Sequence, residues 1–207
     1  MSSFLLKIIA IISMFIDHIG DAAFQKVTYF NFIGRIAFPI FAFQISEGYN
    51  HTKDLKKYYL RLFLFAVISQ APFMLFRTLF TEGLLLNIFF TLLAGLTAIF
   101  AYDKIVNDIN FNFCTSAKYD KLTKQFLGIF IAICLGFVAE VCKFDYGFFG
   151  VSIIFLFYIF QDNKIAMAIS FSVACILKYL SNILTYGYHY YYILLCLFTI
   201  LPIVFIA

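Results

Sequence analysis

The sequence predicts an all-α integral membrane protein, a polytopic bundle of about eight transmembrane helices. Three observations predict it. Of the 207 residues, 64% are hydrophobic and 13% are charged, against about 45–50% and about 25% in an ordinary soluble domain. Mean hydropathy is +0.96, so a water-soluble globule would have to display its apolar side chains to water. A soluble fold, a disordered chain and a secreted disulfide scaffold are thereby excluded. The apolar residues also run continuously instead of alternating, which hydrocarbon accepts as helix and not as barrel strand.

The stretches fall at 4–24, 30–49, 58–80, 84–102, 125–142, 147–160, 165–184 and 190–207. The first carries a single Lys7 and then Asp17-His18 ahead of any cleavage site, which predicts a retained span and not a signal peptide. The second contains Pro39, which removes the bond to the carbonyl of Arg35 and predicts a kink where that arginine enters the membrane. The third opens on Tyr58 and Tyr59, interfacial anchors in a chain without tryptophan, and the fourth has Asn87 near its start. Glu140 and Lys143 end the fifth at a spacing of three, which suits mutual neutralisation. The sixth is short, so it either crosses a thinned region or lies partly buried among its neighbours. The seventh ends near the stripe Lys178, Ser181, Asn182 and Thr185, and the eighth begins within the run Tyr188, Tyr190, Tyr191, Tyr192.

Between the fourth and fifth, Asp103 to Lys124 forms a cytoplasmic loop too small to be a domain, leaving 1–207 as one transmembrane domain. Orientation follows from basic residues. Even-numbered loops hold nine, namely Lys53, Lys56, Lys57, Arg61, Lys104, Lys118, Lys121, Lys124 and Lys164. Odd-numbered loops and their rims hold four, Lys26, Arg77, Lys143 and Lys178. A multi-pass protein of the cell membrane with both termini in the cytoplasm is expected.

The five cysteines, Cys114, Cys134, Cys142, Cys175 and Cys196, include no C-x-x-C pair and are expected to be small core residues. His18, His51 and His189 lie far apart with no metal-ligand spacing, so no metal is expected. There is no glycine-rich phosphate loop, and no nucleic-acid partner is expected.

Chemistry is left to the ionisable groups within the spans, each costing on the order of 2.5–3.5 kcal/mol at mid-bilayer. Alternating helix direction places Asp17, His18, Arg35, Asn87, Glu140, Lys143, Asp145, Lys178 and Asn182 toward the outer side. Gln44, Glu47 and His51 share one helix face at the inner rim, opposite Lys53, Lys56, Lys57 and Arg61. Asp17 and His18 are about 100° apart on their helix and do not point at one neighbour, so one serves the other's environment. An imidazole, a guanidinium and a carboxylate at one depth point to a site.

The chain resembles the TraX family, membrane proteins typified by the conjugative F-pilin acetylase. The residues that carry the resemblance are Leu5-Leu6-Lys7-Ile8-Ile9-Ala10 with Asp17-His18-Ile19-Gly20, Gly34-Arg35 through Phe43, Glu47-Gly48-Tyr49-Asn50-His51-Thr52, Tyr59-Leu60-Arg61-Leu62, Ser69-Gln70-Ala71-Pro72-Phe73 and Asn87-Ile88-Phe89-Phe90-Thr91. In the second half only Asp145-Tyr146-Gly147 with Gly150-Val151 resembles it. The resemblance implies transfer of an acetyl group from acetyl-CoA to an amine, in the typifying member the N-terminus of a pilin. The acceptor here would be a peptide or pilin-like N-terminus presented at the lipid bilayer.

Acyl transfer needs a base, a site for the oxyanion and a pocket for the donor. His18 is the expected base, with Asp17 or Asp145 setting its tautomer. Arg35 or Asn87 would hold the oxyanion. His51, Lys53, Lys56, Lys57 and Arg61 would receive the donor's phosphates. Because these groups are assigned to opposite sides, either the pantetheine arm threads toward His18 or Glu47 with His51 is the working pair. The competing expectations are a transporter, an acyltransferase acting on a sugar hydroxyl, and a scaffold without catalysis.

Overall fold

Buried backbone in hydrocarbon must satisfy itself, and the helix ends show how this sequence does so. In the computed structural model, which describes residues 2–24, 28–80, 85–108 and 117–206, the side chains of Ser2, Asn87, Asn163 and His189 each accept a backbone N–H at the start of a helix. The described residues form α1 (Ser3–Ala23), α2 (Thr28–Gly34), α3 (Ala37–His51), α4 (Leu55–Phe80) and α5 (Ile88–Asp103). A π-helical turn, Lys104–Asp108, follows α5. Then come α6 (Ala117–Val141), α7 (Gly147–Ile159), α8 (Lys164–Tyr186), α9 (Tyr190–Ile200) and α10 (Ile203–Ile206). The all-α membrane bundle expected from the sequence is what forms.

Among the described residues, five helical stretches are long and apolar enough to cross a membrane: Ser3–Ala23, Leu55–Phe80, Ile88–Asn107, Tyr119–Val141 and Lys164–Tyr186. Their outward faces carry large apolar side chains such as Ile68, 69% exposed, Val141, 81%, and Leu184, 79%. Lipid is the solvent that makes such a surface stable.

Three sequence expectations are corrected in detail. The second stretch is two helices, not one kinked helix. The amides of Arg35 and Ile36 close α2 by bonding Asn31 O and Ile33 O, and α3 then starts afresh with Pro39 in its first turn. A first-turn proline gives up an N–H that no helical carbonyl would have received. The loop expected over 103–124 is shorter, because α6 already begins at Ala117. Within its first turns Asp120 and Lys124, both 8% exposed, form an ion pair of 2.9 Å, so Lys124 is a buried partner as well as an orientation signal. Glu140 does not neutralise Lys143. The two form no ion pair among the described residues, and the Glu140 carboxylate instead accepts the Phe148 N–H at 2.8 Å, capping α7. Lys26 and Cys114 lie outside the described residues.

The chain divides into two compact units. The first comprises 1–44, 74–84 and 156–207. There α1 packs on α2, α8 on α9 and α2 on α9, with Phe32, Tyr179 and Leu195 at the centre of a buried cluster. Gly20 and Gly34 bring α1 and α2 close together, since a Cβ at either would collide with Phe30 or Asp17. The second comprises 45–73 and 85–155. There α5 packs on α6, and Gly95 accepts the Ile154 side chain in the space a Cβ would take. The sixth apolar stretch, α7, has 13 residues, and Val151, Ile153, Ile154, Phe155 and Phe157 on it are all buried.

Candidate functional site

In the first unit the site is built on the α2–α3 break. Asp17 on α1 rests against Gly34, the last residue of α2, so that a Cβ there would lie 2.6 Å from Asp17 Oδ1. The next residue is Arg35, in the turn between the two helices. Asp17 Oδ1, His18 Nδ1 and Arg35 Nε are all buried from solvent. The His18 ring meets Phe76 edge-on, with centroids 4.8 Å apart. Its Nδ1 has no hydrogen-bond partner among the described residues, which leaves a buried imidazole nitrogen uncommitted.

Three groups that the sequence reading passed over join this set. Asp21 lies three residues after His18 and four after Asp17 on α1, spacings that put all three on adjoining helix faces, and its charge acts on His18. Tyr191, read from sequence only as an interfacial anchor, lies within electrostatic reach of Arg35, Asp17 and Asp21. Tyr179 is also within reach of Arg35. The D-H-x-x-D spacing was available in the sequence as a signal for Asp21. The tyrosines had none, because only the packing of α9 on α2 and of α8 on α9 brings them in.

The second unit holds the other candidates. Asn87, 2% exposed, caps α5 by accepting Phe89 N–H at 3.0 Å. Its amide donates to Ala66 O at 2.8 Å and Ser69 Oγ at 3.2 Å. Gln70 completes the clasp, receiving the Asn87 N–H at 2.9 Å and donating to Leu85 O at 3.0 Å. Both amide protons of Asn87 are therefore engaged in joining α4 to α5. Asp145 sits in the turn before α7, where its N–H bonds Leu86 O and the Leu86 N–H bonds Lys143 O, each at 2.9 Å.

At the end of α3, Glu47 and His51 form an i,i+4 pair of 3.5 Å with His51 largely exposed. Asp54 starts α4. It accepts the Lys57 N–H at 3.0 Å and pairs with the Lys57 ammonium at 3.2 Å, and that amide and ammonium hold its carboxyl below the ordinary carboxylate range. Lys57 is thus partly neutralised. Lys53, Lys56 and Arg61 are exposed and form no ion pair among the described residues, so they are the cations of this rim open to an anionic ligand. No group of three or more His, Cys, Asp or Glu with metal-binding geometry occurs among the described residues.

A family model described as TraX protein matches residues 2–207. The chain belongs to the TraX family. It is 31% identical over 162 residues to an uncharacterized protein of Rickettsia prowazekii (strain Madrid E), covering 77% of this chain and 56% of that protein. It is 39% identical over 77 residues to a probable fimbrial assembly protein FimC, serogroup H1, of Dichelobacter nodosus, covering 35% of this chain and 31% of that one. The chain thus spans about half or less of the length of these curated relatives. No solved structure matches it. In this TraX chain, two pairs of the segments named from the sequence touch: Asp17 lies against Gly34 across α1 and α2, and Ser69 and Gln70 bond Asn87.

Proposed function

We propose that this chain is a membrane acetyltransferase that moves an acetyl group from acetyl-CoA to an amine, its acceptor a peptide or pilin-like N-terminus. Membership of the TraX family and similarity to a protein named for fimbrial assembly support a role with pilus subunits. The observation that carries the chemistry is the grouping at the α2–α3 break, where Asp17 lies against Gly34 beside Arg35 and His18 keeps a buried, uncommitted Nδ1.

In this reading the acceptor amine attacks the thioester carbonyl carbon, and His18 takes the proton that the amine sheds. Arg35 offsets charge on the carbonyl oxygen in surroundings where a guanidinium acts strongly. Asp17 holds that arginine's environment. When the C–S bond breaks, the thiolate leaves and takes the proton back from His18. A polyanionic donor's phosphates would suit the exposed cations Lys53, Lys56 and Arg61.

The test is incubation of purified protein in detergent with labelled acetyl-CoA and a panel of peptides, amines and sugars, followed by mass spectrometry of the product. Acetylated peptide N-termini are expected. His18→Ala should lower the rate about 10²- to 10⁴-fold, and an unchanged rate would remove His18 from the mechanism. A broken helix is also how transporters build a mid-membrane site; substrate flux into vesicles with no acetylated product would favour that function.

A further inference from the structure

Two tyrosines lie within electrostatic reach of Arg35, and the fold treats them differently. Tyr179 on α8 is 8% exposed. Its hydroxyl shares a hydrogen bond of 2.8 Å with Thr199 Oγ1, which itself donates to Leu195 O at 2.7 Å. That phenol is committed to joining α8 and α9. Tyr191, in the first turn of α9, has a half-buried ring packed 5.4 Å from Phe32 and 5.9 Å from Tyr192. Its backbone N–H donates to His189 Nδ1 at 3.2 Å, which fixes the turn from which the ring projects. Phe32 stands three residues before Arg35, so this packing ties the Tyr191 ring to the end of α2 where the charged groups gather. The Tyr191 hydroxyl makes no hydrogen bond among the described residues.

A phenol whose ring is packed on Phe32 at the end of α2, with its O–H unspent and within electrostatic reach of Arg35, Asp17 and Asp21, has the form of a donor awaiting an oxygen. We infer that Tyr191 is a catalytic residue whose hydroxyl donates to the acyl oxygen during transfer. This rests on the acetyltransferase reading and adds a second donor beside Arg35. When the amine nitrogen bonds to the carbonyl carbon, the C=O π electrons move to oxygen, and the Tyr191 O–H and the Arg35 guanidinium share that charge. His18 accepts the amine proton. Collapse restores the C=O, breaks the C–S bond, and the departing sulfur takes the proton from His18. Tyr191 ends as it began, a neutral phenol.

The experiment compares the full chain with Tyr191→Phe in detergent, measuring turnover, KM for acetyl-CoA and melting temperature. Phenylalanine keeps the ring on Phe32 and removes only the donor. Turnover is expected to fall about 10²-fold while KM and melting temperature stay put, a split that a merely structural tyrosine would not give. Turnover within about twofold of wild type would overturn the inference. The pair Tyr191→Gln and Tyr191→Leu repeats the comparison should the phenylalanine variant fold poorly. The glutamine variant, which retains a donor, should be at least about tenfold faster, and equal rates overturn the inference again. A wild-type chain inert toward every acceptor overturns both this inference and the acetyltransferase reading. An active wild type with an unimpaired Tyr191→Phe overturns this inference alone.

Discussion

At Gly34 the absent side chain is what admits Asp17, since a Cβ would stand 2.6 Å from its Oδ1 and 2.5 Å from its Cβ. The neighbour is a short carboxylate stem on a packed helix, with little freedom to swing away. Gly34→Ala is therefore expected to force α1 and α2 apart at a cost of about 1–3 kcal/mol. Melting in detergent checks the cost, and the proposed acetyl transfer should fall with it because Arg35 is the next residue. At this scale much of the candidate site was legible. An intramembrane Asp-His pair and an arginine ahead of a proline are expensive in hydrocarbon and announce themselves. Asp21 was not legible by the same argument. It stands near the end of α1, where a carboxylate carries little penalty, and its relation to His18 emerges only once the helix faces are known. Tyr191 was harder still, because tyrosine is at home at a membrane interface and its presence alone signals nothing.

Among the helices, the junction of α4 with α5 shows a polar residue doing structural work in apolar surroundings. Asn87 was expected as an oxyanion holder, yet its side chain caps α5 and donates twice to α4. Removing it strands Ala66 O of one bond and exposes the first turn of α5. Asn87→Ala is expected to cost about 1–3 kcal/mol, seen as a lower melting temperature. If activity per folded molecule survives, the amide is a clasp; a loss of turnover at unchanged stability would return it to the site. Sequence pattern shows such amide stripes but does not reveal which backbone they bond, because Ala66 and Ser69 come together with Asn87 only in the fold.

The start of α4 makes a pH prediction. The Asp54 carboxyl is held below the ordinary carboxylate range by the Lys57 N–H and ammonium, so the folded protein binds the proton less readily than the unfolded chain. The cap's contribution is then complete above the ordinary carboxylate pKa of about 4 and is lost as pH falls through the lowered folded value. Melting temperatures of wild type and Asp54→Asn should therefore differ near neutral pH and converge in acid. A gap that stays constant down to about pH 2 would dissociate the carboxylate's charge from the cap.

For the whole molecule, the decisive element is α7. Its 13 residues reach about 20 Å at 1.5 Å per residue, against a hydrocarbon thickness of about 30 Å. A helix facing lipid on all sides would be mismatched by that difference. The residues from Val151 to Phe157 that fill α7 are mostly buried in protein instead, and a helix sheathed by neighbours need not match the bilayer. We therefore expect α7 to connect opposite faces, which keeps the basic-residue bias coherent: Lys53, Lys56 and Lys164 on one side, Lys143 and Lys178 on the other. Single cysteines placed at Lys56, Lys143, Asp162 and Tyr188 in a background without native cysteines test this, since all four positions are exposed. An impermeant thiol reagent applied to intact cells should label positions 143 and 188 and reach 56 and 162 only after lysis. If α7 fails to cross, positions 143 and 162 label together, position 188 changes sides, and the α8–α9 turn with its exposed tyrosines would face the cytoplasm. Under the proposed acetyl transfer, the acceptor would then have to approach Tyr191 and Arg35 from the compartment that supplies acetyl-CoA, so the labelling pattern would also decide from which side a substrate amine arrives.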